Sequence, residues 1–216
     1  EAYPYERSFC ATAFSSMHAA RSLILLEEPP SADLQTVGRW LMRHDALDTA
    51  NQRAASVAAI AYLAKISGND RLRLFAKSRA HEMVETYERL NRFDEYGGSD
   101  TGYSSIALSA LSLYDGCVQD GDMSAWIKSR ADDAGRYLRE DGSYEYGGQS
   151  RRTRFFYPFA LAWTNNSSLE KISRGVVQNR ILKPSWMDDR YMIPYAADYL
   201  RSACFSANTA SVQAPA

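Results

Sequence analysis

The sequence predicts an all-α fold: an α/α toroid, complete or partial, in which helical hairpins alternate inner and outer helices. Three observations carry this. Helical patterning runs through almost the whole chain, with no sustained period-2 alternation and no Asn-Gly hairpin turn. Runs without charge alternate with charged ones. The tetrapeptide EYGG stands twice, at Glu95–Gly98 and Glu145–Gly148, each time shortly before an uncharged run.

The elements follow in order. Helices are expected near 7–27, 32–43, 50–67, 70–92, 102–118, 122–139, 155–165, 168–182 and 188–205. Pro29–Ser31 ends the first. Ser67–Asp70 offers a glycine to close one helix and Asn or Asp to cap the next. Ser167 and Glu170 have the spacing of a capping box, in which the serine accepts from a free helix N–H and the glutamate bonds back. Pro158 and Pro194 stand early in their helices, where a missing N–H does little harm.

Segments 8–20, 54–64, 103–114 and 155–164 contain no Asp, Glu, Lys or Arg. A helix apolar on every side is buried on every side, and one with a polar face is an outer layer. Alternation of the two, at a hairpin spacing near 50 residues, stacks hairpins side by side. Residues 1–206 then form one domain, and 207–216 are expected to be a flexible C-terminal tail. A chain of 216 residues is long enough for one sizeable core.

In such an array every outer-to-inner connection lies at one end. YPYERS (Tyr3–Ser8), DTANQR (Asp48–Arg53), both EYGG copies and SWMDDRY (Ser185–Tyr191) share that end, and they hold much of the Tyr, Arg and carboxylate content. Charge and aromatics converging there suit a cleft for a polar ligand. Arg151, Arg152 and Arg154 present three planar forks suited to carboxylate or sulfate, or form a solvated basic loop. Asp100 suits either a helix cap or a ligand contact, as does Asp189 or Asp188; Glu6 and Arg7 suit a surface pair as well as a site. The substrate-binding candidates are Tyr5, Glu6, Arg7, Glu95, Arg151, Arg154, Asp189 and Arg190. The catalytic candidates are Tyr103, Tyr157, Tyr191, Asp100 and Glu145.

Composition narrows the partners. With a net charge of −1, nothing points to nucleic acid or an anionic membrane surface, and no apolar stretch nears the about 18 residues of a membrane span. Cys10, Cys117 and Cys204 are dispersed, which favours unpaired buried thiols and a cytoplasmic setting over a disulfide framework. Glu1 in place of Met is compatible with a trimmed chain or a removed leader. His18, His44 and His81 stand on separate helices without ligand spacing, and no GxSxG, P-loop or GxGxxG is present, so no metal or cofactor is expected.

EYGGSDTGY, then DGSYEYGGQSRRTRFFYP, then DDRY resemble the helical toroid domains of carbohydrate-active enzymes. Among these the chain is similar to heparinase II/III-like polysaccharide lyases and, behind them, the helical domain of uronyl epimerases. The resemblance covers most of the chain as architecture. It implies an oligo- or polysaccharide ligand containing uronate, arginines that neutralise its carboxylate, and a Tyr that moves the proton. The β-sandwich that such lyases usually add is absent from this sequence. Alternatives are a non-catalytic glycan-binding or scaffold domain, a glycoside hydrolase with paired carboxylates, and an isoprenoid-type toroid enzyme.

Overall fold

The computed structural model describes residues 8–145 and 149–213, with the side chains of 189–190 and 208–213 outside the description. The described chain is helical, without strands. Its helices are α1 (Phe9–Leu25), α2 (Ala32–Arg43), α3 (Ala50–Ser67), α4 (Asp70–Leu90), α5 (Thr101–Val118), α6 (Gly121–Arg136), α7 (Phe159–Trp163), α8 (Leu169–Val177) and α9 (Asp189–Gln213), with a 3₁₀ turn at Pro184–Trp186.

Local sequence explains most boundaries. Ser8 and Ser31 accept from Ala11 N (3.2 Å) and Leu34 N (3.3 Å), capping α1 and α2. Gly68 closes α3 in the left-handed conformation, at φ 62°. Asn69 then accepts from Arg71 N and Leu72 N to start α4. Arg79 of α4 donates to Leu41 O and His44 O, both at 3.0 Å, satisfying carbonyls where α2 ends.

Two of the uncharged runs, in α3 and α5, are buried on most sides; the uncharged run of α1 is not, with five of its 17 residues buried. Thirteen of the 18 residues of α3 are buried and twelve of the 18 in α5, against five of 21 in α4 and four of 16 in α6. The Ala-rich α3 packs between α1 and α5 while α4 lies on its outer side; α6 backs α5, and α7 joins α5 to α9. The main core is built from these faces, with Ile60, Leu63, Leu111 and Tyr114 fully enclosed.

Three expectations are corrected. The helix expected at 155–165 contracts to Phe159–Trp163, because residues 152–158 run without helix and spend their N–H groups elsewhere. Phe156 N donates to Tyr195 Oη (3.1 Å), Tyr157 N to Ser105 Oγ (2.9 Å) and Phe159 N to Asp198 Oδ2 (2.9 Å). The Ser167–Glu170 capping box does not form: Ser168 is the N-cap of α8, and its hydroxyl reaches Gly135 O instead. The last helix, expected at 188–205, runs from Asp189 to Gln213.

Candidate functional site

The loops before α3, α5, α7 and α9 are stitched edge to edge. Ala50 N donates to Asp94 O (2.9 Å) and Tyr96 N to Asp48 O (2.8 Å). Ser150 N donates to Ser99 O (2.9 Å), and Leu182 N to Arg154 O (3.0 Å). The four connections thus form one continuous rim.

Buried acceptors anchor that rim to the helices. Thr49 precedes α3 but makes no side-chain cap. Glu95, fully buried, takes that role from 44 residues away: Oε1 accepts from Asn51 N (2.9 Å) and Oε2 from Asn51 Nδ2 (2.7 Å). Burial pushes its carboxyl up to about 7, against the opposing pull of the Asn51 hydrogen bonds. Asp100, also fully buried, caps α5 by accepting from Tyr103 N (3.1 Å). It also accepts from Arg151 N (3.2 Å), Thr153 N (3.3 Å) and the Thr153 hydroxyl. Gln149 accepts from Thr101 N (2.6 Å) and donates to Glu145 O (2.6 Å).

The two EYGG copies therefore do different work. Tyr96 and Gly97 take positive φ (56° and 79°), turning Glu95 inward. Glu145 instead is exposed and pairs with Arg139 at 3.1 Å, since Asp100 and Gln149 already occupy the start of α5. Residues Tyr146–Gly148 of the second copy lie outside the described residues.

The remaining candidates separate into exposed and enclosed groups. Tyr103 is half-buried, packs edge-on against Phe155 and feels the charge of Arg151. Burial raises its hydroxyl pKa, Arg151 pulls it down and Tyr191 pushes it up. The Arg151 guanidinium also stands over the exposed Tyr96 ring, 4.7 Å from its centroid. Arg152, Arg154 and Tyr191 are exposed. Tyr157 is enclosed among Ile106, Tyr195 and Phe155, its pKa raised first by burial and then by Asp198. Asp188 accepts from Tyr191 N (3.2 Å) at the start of α9. Tyr5, Glu6 and Arg7 lie outside the described residues, as do the side chains of Asp189 and Arg190.

Beside this mouth lies a cleft of about 780 Å³. Asp100, Thr101 and Ser104 line it, so the α5 turn that carries Tyr103 also forms a cleft wall. Its other walls bring Arg92, Arg130, Asp133 and Arg136. Arg130 lies over Tyr87 (5.2 Å), and Asp133 pairs with Arg130 (3.3 Å) and Arg136 (3.0 Å). Among the described residues, the Nε atoms of Arg92 and Arg130 are buried without a partner. Sequence reasoning passed over the α6 residues because a charged helix face reads as solvated; the signal was their i, i+3, i+6 spacing, which aligns them on one side.

Among the described residues no three His, Cys, Asp or Glu side chains gather as metal ligands do, and no helix is long and apolar enough to cross a membrane. No protein-family model, curated protein or solved structure matches the chain.

Proposed function

We propose that this rim binds a uronate-containing saccharide and that Tyr103 performs lyase-type acid–base chemistry on it. The observation that carries the reading is the Arg151 guanidinium, stacked over Tyr96 and near enough to Tyr103 to pull its hydroxyl pKa down, at an aromatic, arginine-rich mouth beside a cleft. Arg151 neutralises the uronate carboxylate, which makes the adjacent C5–H more acidic. The Tyr103 phenolate takes that proton. The electron pair forms the C4–C5 double bond as the C4–O bond breaks, and the departing oxygen takes the proton back from Tyr103. Arg92, Arg130 and Arg136 suit further sugar carboxylates along the cleft.

We also propose that the hairpins form an open α/α toroid. In support, α1, α3, α5, α7 and α9 all contribute walls to one cavity at the opposite end of the bundle. The hydrolase alternative loses ground because Glu95 and Asp100 are fully buried and engaged as caps.

The test is incubation with uronate polysaccharides while following the absorbance of an unsaturated uronate product. Tyr103→Phe should abolish product while saccharide binding persists. Saturable binding without product from the unaltered chain would leave a glycan-binding domain; neither binding nor product removes the reading.

A further inference from the structure

The cavity at the far end has a chemistry of its own. Its volume is about 560 Å³, and it opens where α1, α3 and α5 finish. Among the described residues, three cations line it, Arg21, Lys65 and Arg201, and no carboxylate does. Tyr62, Trp163 and Phe205 supply aromatic surface between them. Arg201 is 9% exposed. Its Nη1 pairs with Asp198 (3.1 Å), yet among the described residues its buried Nε has no partner. Asp198 is divided among Arg201, the Ser109 hydroxyl and Phe159 N, so it offsets only part of the local positive charge.

Lys65 stands in the last turn of α3, where a cation complements the helix dipole. That account fails for Arg201, in the middle of α9. Arg21 adds to the electrostatic cost of the buried Arg201, and both act on the Tyr62 hydroxyl, which burial has pushed up to about 12. A desolvated arginine with further cations beside it at an open cavity is relieved by an anion.

We propose that this cavity binds a small amphiphilic anion: one carboxylate or phosphate head held by Arg21, Lys65 and Arg201, on an apolar body lying against Tyr62, Trp163 and Phe205. Cations fix the head and aromatic faces accept the body, the usual division of labour in a small-molecule pocket. The site is separate from the saccharide-binding rim and does not depend on it.

The probe is 1-anilinonaphthalene-8-sulfonate, an anion on an aromatic body, with neutral N-phenyl-1-naphthylamine as control. We expect saturable binding of one anionic dye per chain, weakened roughly tenfold or more in an Arg21→Gln/Lys65→Gln double variant as charged hydrogen bonds are lost. The neutral dye should bind more weakly and ignore those changes. Arg201→Met leaves Asp198 buried alone and risks unfolding, so the double variant carries the test. Displacement by laurate identifies a carboxylate head, and displacement by dodecyl phosphate a phosphate head. Unchanged anionic-dye affinity in the double variant, equal binding of the neutral dye, displacement by neither competitor, or loss of binding in Arg151→Ala would each overturn the proposal.

Discussion

Glu95 caps the helix that begins at Ala50, accepting from both the backbone N–H and the side-chain amide of Asn51. A residue in the turn before α5 thus completes the start of α3. One carboxylate couples two successive hairpins, and the rim holds its shape through that coupling.

Its titration gives a first prediction. The folded pKa, about 7, lies above the ordinary value of 4.5, so the folded state holds the proton more tightly. Stability from this group is full below pH 4.5 and is lost as pH rises toward about 7. Glu95→Gln keeps an acceptor for Asn51 N and cannot ionise. Unfolding free energies from urea titrations between pH 4.5 and 8 should therefore fall with pH in the original chain by roughly 1–3 kcal/mol more than in the variant. Parallel curves would show that Glu95 ionises without cost.

Asp100 joins α5 to the 151–153 loop, so removing it strands several donors at once. Asp100→Ala should cost about 2–4 kcal/mol, from a lost cap and unpaired N–H groups. Hydrogen exchange should quicken at Tyr103, Arg151 and Thr153 ahead of the α3 core. Uniform quickening across the chain would mean that the carboxylate supports the whole fold rather than this junction.

Gly102 tests the same junction sterically. A Cβ there would overlap Thr153 Oγ1 and lie 2.7 Å from the Phe155 carbonyl oxygen. The threonine can turn, but the backbone oxygen cannot leave without moving the loop. Gly102→Ala should destabilise by about 1–3 kcal/mol by overpacking. Gly121→Ala, with open space around it, should not destabilise and serves as control. Equal thermal midpoints for the two variants would mean that the 153–155 loop yields to the added methyl without cost.

These contacts mark where sequence reading reached its limit. Uncharged runs exposed α3 and α5 because burial on all sides leaves a compositional trace. The Asn69 cap was readable because donor and acceptor are neighbours. Glu95 and Glu145 read alike, yet one is buried and one exposed: the difference lies in what faces them across 44 to 50 residues of chain, which no local pattern records. The short α7 has the same cause. Its approach, Phe155–Pro158, is as apolar as a helix, but Ser105, Tyr195 and Asp198 draw its N–H groups into long-range bonds. The α6 cations of the cleft were hidden by their resemblance to any solvated face.

The Arg151–Tyr103 pair makes the last prediction. As a base, Tyr103 must lose its proton, and burial raises its pKa while Arg151 lowers it. Turnover of a uronate polymer should therefore climb with pH along an alkaline limb. Arg151→Ala removes the stabilising cation, so the phenolate becomes harder to form and that limb must move to higher pH. Arg151→Lys restores a positive charge without the planar fork, and should return the limb part of the way while leaving KM raised. High salt should mimic the alanine change weakly, since the pair is only half-buried and partly screened. The check is kcat against pH for the three proteins. An unmoved alkaline limb in Arg151→Ala, with only KM altered, would restrict Arg151 to gripping the carboxylate and leave the activation of Tyr103 to another group.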